Sequence, residues 1–127
     1  MEGVDPSIVE GMYFANHFAA DSTDPDVVKF VEDYNKKYGK NPNALAALGY
    51  DAAMILINAI KTVIENGGEG FALTNSAEHR QLIIDALRAT ELDCVTGNIK
   101  FDENNNPIKE CVIIQIRDGA NHFVANY

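Results

Sequence analysis

The sequence predicts an α/β fold of order β-α-α-α-β-β-β, and three observations carry that reading. An aromatic-rich strand pattern, Gly11–Phe18, precedes every helix; three segments with helical spacing follow it; three short strand patterns separated by turn residues close the chain. The order is awkward for a self-contained layer, because three helices need a sheet to cover and the first strand stands apart from the others. Either the late strands pair with the first, or the sheet is incomplete in this chain alone.

Each element has local support. Before the first helix, Asp24 suits the N-cap, Pro25 the first helical position, and Asp26 the positive end of the dipole. Val27, Val28, Phe30, Val31 and Tyr34 form its apolar face, Lys36 and Lys37 occupy the last turn, and Gly39 with Pro42 ends it. The second helix runs from about Ala44 to Asn66 and is apolar nearly all round. Asp51, Asn58, Lys61 and Glu65 interrupt it, so it reads as a buried helix rather than a membrane span, which needs about 20 clean apolar residues. Gly67-Gly68-Glu69-Gly70 then breaks the chain. The third helix spans roughly Ser76–Thr90, with Asn75 and Glu78 as a capping box and Leu82, Ile83, Ala86 and Leu87 inward. Gly97–Phe101, Cys111–Arg117 and His122–Asn126 read as strands, joined through Asp102–Pro107 and Asp118-Gly119.

Composition narrows the function classes. At 127 residues, 46% apolar and 23% charged, the chain has the make-up of a folded domain with a core. A formal net charge of −9 argues against nucleic acid and against an anionic membrane surface, both of which call for clustered Lys and Arg. Met1 is followed by an acidic, Pro-containing stretch that does not read as a signal peptide. For an exported protein this means that the signal has been removed or that the chain begins partway through a longer one.

No chemistry-bearing motif is complete. Asp102, Asn104 and Asn106 resemble the start of a calcium loop, but Pro107 replaces its Gly and Ile113 its bidentate Glu, leaving a polar turn. The Gly67–Gly70 run lacks the Lys and Ser/Thr of a phosphate loop. His17, His79 and His122 are scattered without metal-ligand spacing, and Ser7, Ser22 and Ser76 lie in cap or loop contexts. Cys94 and Cys111 fit no redox or zinc spacing and read as inert thiols rather than a bridge. No nucleophile, base and oxyanion donor come together, so we expect no enzyme, no cofactor and no metal.

A longer pattern is more specific than its parts. Tyr38-Gly39-Lys40-Asn41-Pro42 precedes Ala46-Ala47-Leu48-Gly49-Tyr50-Asp51-Ala52, and Thr96-Gly97-Asn98-Ile99-Lys100-Phe101-Asp102 follows about forty residues later. Read singly, Tyr50 is an aromatic core residue and Asp51 a capping or hinge carboxylate. With Glu10-Gly11-Met12-Tyr13-Phe14 ahead of them and Pro107 behind, these segments resemble the C-terminal portion of the type I periplasmic solute-binding proteins, the leucine/isoleucine/valine-binding family of branched-chain amino-acid ABC importers. Asn105 stands where that family usually has Gly, a departure that an Asn-tolerant left-handed turn can absorb.

The resemblance implies a two-lobed parent about three times this length, closing on ligand between α/β lobes. Residues 8–96 would belong to the helical part of the first lobe; 97–127 would be a hinge crossing and terminal strands of the second. It also implies an extracytoplasmic location, an amino-acid or related small amide ligand, and an ABC permease as partner. Leu45 and Ala46 would line the ligand as part of an apolar wall, with Tyr50 as their neighbour. The family's polar anchors for the ligand's ammonium and carboxylate would lie upstream of Met1, and the context of Glu2 is that of the loop after the acidic anchor. A chain lacking those parts would expose helix faces, from which we expect a homo-oligomer; a free-standing interaction module is the alternative to ligand binding.

Overall fold

A computed structural model describes residues 5–68 and 71–127 of the chain, so Glu2 and the Glu69-Gly70 part of the glycine run lie outside the described residues. The elements are α1 (Pro6–Val9), β1 (Tyr13–Asn16), α2 (Pro25–Tyr38), α3 (Ala44–Gly67), α4 (Ala77–Arg88), β2 (Glu91–Cys94), β3 (Gly97–Phe101), β4 (Pro107–Ile108), β5 (Val112–Arg117) and β6 (Ala120–Asn126). The mixed α/β class and the three long helices are as expected, and β3 keeps its expected bounds. The short elements α1, β2 and β4 are additions.

Packing divides the chain into two units, one of residues 1–48 with 110–127 and one of residues 49–109.

In the first unit β5 is the centre of an antiparallel sheet of order β1-β5-β6. Phe14 faces Ile114 across one ladder and Phe123 faces it across the other. A late strand therefore does pair with the first. Ile114 and Ile116 are buried, two residues apart on one face of β5, as a period of two requires. Asp118 and Gly119, both at positive φ, turn the chain from β5 into β6. The start of α2 is as expected: Asp24 Oδ1 accepts from the N–H groups of Asp26 (2.9 Å) and Val27 (3.3 Å). Gly39 ends it at φ 70°, a left-handed cap that costs glycine little. Phe18 meets Phe30 edge-on at 5.9 Å, and Tyr34 and Tyr38 continue the aromatic row along the helix.

In the second unit the antiparallel sheet has the order β2-β3-β4. The sequence left 91–96 unassigned, yet Cys94 pairs with Gly97 and Leu92 with Ile99, so Val95-Thr96 is a two-residue hairpin turn. Gly97 sits at φ 102°, which favours glycine there. The Asp102–Asn106 turn is held by its own groups: Asp102 Oδ1 accepts from the N–H of Asn104 (2.9 Å) and of Asn106 (2.7 Å), and Asn105 takes φ 63°. The Asn106 backbone N–H holds the Asp102 carboxyl below the usual aspartate value.

Three expectations are corrected. Ser76, not Asn75, caps α4, its hydroxyl accepting from the His79 N–H at 3.1 Å. Asn75 accepts from Arg80 instead, through both its carbonyl (2.9 Å) and its side chain (2.8 Å). The Ser76 hydroxyl caps one residue further along, taking the His79 amide in place of the Glu78 amide that an Asn75 cap would have served. The second correction concerns α3, which was expected to be buried all round. Its buried residues are Ala47, Asp51, Ile55, Ala59 and Val63, a single stripe at steps of four. Met54, Leu56, Ile57 and Ile64 are exposed. α3 is long and apolar enough to cross a membrane by length and composition, but that stripe carries a carboxylate, and Lys61 and Glu65 lie further along. Leu82 of the expected inner face of α4 is exposed as well.

Candidate functional site

The expected ligand wall lies on the first two turns of α3. Asn43 caps that helix, its side-chain oxygen accepting from the Ala46 N–H at 2.9 Å, and buried Pro42 ahead of it ends the link from α2. Leu45 is 77% exposed, Ala46 half-buried and Tyr50 46% exposed. Four residues apart, Ala46 and Tyr50 share a face, while Leu45 points roughly 100° away around the helix. The trio offers apolar surface and one phenol. It carries no charged group for a zwitterion's ends, so any such groups must come from elsewhere.

The next turn of α3 holds the most deeply buried polar residue among the described residues. Asp51 is 1% exposed, and its carboxylate oxygens accept from the N–H of Val95 and of Thr96, each at 2.9 Å. The two N–H groups belong to the tight turn between β2 and β3, where no strand partner could satisfy them. Lys109 Nζ donates to Thr96 Oγ1 on the other side of that residue. Burial lowers the Lys109 pKa, while the Asp51 charge acts in the opposite sense. So the Tyr50-Asp51-Ala52 segment and the Thr96-Gly97 segment, which the sequence showed only as two separated patterns, are joined by one carboxylate.

The sequence reading gave Asp51 a capping or hinge role but missed Thr96 and Lys109. A Thr-Gly pair entering a strand, with a carboxylate on an otherwise apolar helix, was the available signal for Thr96. Lys109 had none.

Cys94 and Cys111 are both free thiols. Burial first, and Asp51 second, push the Cys94 thiol from 9.0 up to about 11. Alkylation of Cys94 by iodoacetamide near pH 8 should therefore run about a hundredfold slower than that of an unperturbed thiol. Mass spectrometry of the labelled peptide reads this directly. The same shift has a stability sign. Above pH 9 the unfolded chain gives up the Cys94 proton before the folded one does, so this contribution is full below pH 9 and is lost as pH rises through about 11.

Among the described residues no group of three or more His, Cys, Asp or Glu is placed to hold a metal ion. His79 is engaged with Thr74 and the Phe71 ring, and His122 with Asp21 at 3.8 Å.

Solved chains that share this architecture include solute-binding proteins of ABC transporters. The leucine-binding protein LivK of Thermotoga maritima is 37% identical over 93% of this chain and 31% of its own, with a TM-score of 0.69. A branched-chain amino acid ABC transporter protein from Rhodospirillum rubrum is 30% identical over 96% of this chain and 35% of its own, at 0.70. LivJ of Streptococcus pneumoniae, solved with isoleucine, is 26% identical over 88% and 30%, at 0.66. A family model described as periplasmic binding protein matches residues 1–121, and the chain belongs to that family. No curated protein sequence matches it. The chain spans about a third of the length of the solved relatives.

Proposed function

We propose that this chain is the C-terminal segment of an extracytoplasmic receptor that binds a branched-chain amino acid, or a related small amino acid or amide, for an ABC importer. The observation that carries the reading is the 37% identity to a leucine-binding protein, sustained over 93% of the chain. In this reading Leu45 and Ala46 form part of an apolar wall beside the ligand's side chain, with Tyr50 next to them. Lobes drawn from 8–96 and 97–127 close on the ligand, and a permease reads the closed form. The protein works by binding, without catalysis, cofactor or nucleic acid.

Ligand affinity then needs polar anchors that this segment does not hold. In a thermal-shift assay the 127-residue chain alone is expected to show no stabilisation by leucine, isoleucine or valine. A receptor saturated at a hundred times its Kd would gain about 2.7 kcal/mol. A shift of that size in this chain would show that it holds a complete site.

A second reading, a free-standing oligomeric interaction module, rests on the exposed Met54, Leu56, Ile57 and Ile64 of α3 and Leu82 and Ile84 of α4. Size-exclusion chromatography with light scattering is expected to give a dimer or larger species. A folded monomer at every concentration would remove this reading.

A further inference from the structure

Thr96 connects residues beside the two places where the chain passes between its units. The chain passes into the second unit between Leu48 and Gly49 and leaves it between Lys109 and Glu110. Asp51, just after the first passage, accepts the Thr96 backbone N–H at 2.9 Å. Lys109, at the second passage, donates through Nζ to the Thr96 hydroxyl. All three residues belong to the second unit, and Thr96 is buried.

We infer that Asp51, Thr96 and Lys109 form a clamp that pins both chain passages to one buried point, with Lys109 positioning the outgoing segment through Thr96. A lysine held in this way gives up the freedom of a long stem and the water around its ammonium. That loss is offset only in part by the carboxylate nearby and by the hydroxyl acceptor, since burial still outweighs the Asp51 charge at Lys109. The bonds are also divided: the Thr96 backbone serves the incoming helix α3 and its side chain serves the outgoing segment. Loosening either bond therefore frees Thr96 from one passage and weakens its hold on the other.

Three measurements on the 127-residue chain test it. In the unaltered chain, reductive methylation should modify Lys109 about tenfold more slowly than Lys100, which is exposed; equal rates would overturn the clamp. Thr96→Val keeps the N–H for Asp51 and removes only the hydroxyl. Trypsin should then cut after Lys109 about tenfold faster, with cleavage after Lys36 and Lys40 unchanged and Thr96→Ser restoring the original rate. No change, or an equal rise at every site, would mean that the hydroxyl does not hold this passage in particular. Finally, Lys109→Met should speed hydrogen exchange of the Thr96 amide, whose bond goes to Asp51, while Lys109→Arg should not. An unchanged Thr96 amide would show that the two passages are not coupled.

Discussion

Replacing Asp51 with Ala is expected to destabilise the chain by about 3 kcal/mol, the largest effect of any single substitution considered. The side chain is 1% exposed and takes two backbone N–H groups that have no other acceptor within the Val95-Thr96 turn. Truncation leaves both donors unsatisfied, and it removes the negative charge that helps Lys109 tolerate its partial burial. Asp51→Asn is expected to recover only part of the loss, because an amide offers one acceptor oxygen and turns its NH2 toward an N–H donor. Urea denaturation of the three forms measures the order: unaltered chain, then Asn, then Ala. Equal midpoints would show that the turn amides find other partners.

Gly67→Ala is expected to be the second largest effect, and its sign runs against helix propensity. In an exposed helix, exchanging Gly for Ala gains about 1 kcal/mol. Here a Cβ on Gly67 would meet the Phe71 ring, whose Cγ lies 2.1 Å from the place it would occupy. Phe71 also packs against His79, with ring centroids 5.0 Å apart, and His79 accepts from the Thr74 N–H at 2.8 Å. The ring has to be driven off the helix end, so Gly67→Ala should destabilise by about 1–2 kcal/mol, within the range for forced overpacking. Adding Phe71→Ala should make the glycine change neutral or favourable, a coupling that a double-mutant cycle measures. Additive effects of the two changes would contradict the contact.

Much of the fold was legible because local chemistry and packing agreed. Asp24-Pro25 and Gly39 bracket α2 as their backbone preferences require, and Gly97–Phe101 emerged with correct bounds from a glycine followed by alternating residues. What escaped had weak local signals. β2 is four residues long and has no run of β-branched side chains, and its existence depends on pairing with β3 and on Asp51 accepting from the turn. β4 is two residues, one of them Pro107, defined only by its partner Phe101. The all-round hydrophobicity of α3 correctly indicated a core element but could not say which stripe would find a partner within these 127 residues.

The site was legible in a narrower sense. The Ala46–Ala52 and Thr96–Asp102 patterns identified the family, and the structure joins them through Asp51. Periodicity alone would never have singled out Leu45 as a ligand contact, since an exposed leucine near a helix start is ordinary. The role proposed for it rests on the family resemblance alone, and it is the most exposed of the three proposed residues.

The most direct test of the receptor reading uses a relative that is a leucine-binding protein. A chimaera of Thermotoga maritima LivK, in which this chain replaces the matching third, should be titrated with leucine, isoleucine and valine by calorimetry. A folded chimaera that binds at least one of them is expected, with Leu45→Asp weakening binding by about tenfold or more as a charge enters an apolar wall. A chimaera that folds cooperatively yet binds none of the three, or binds equally well with Asp at position 45, would contradict the receptor reading.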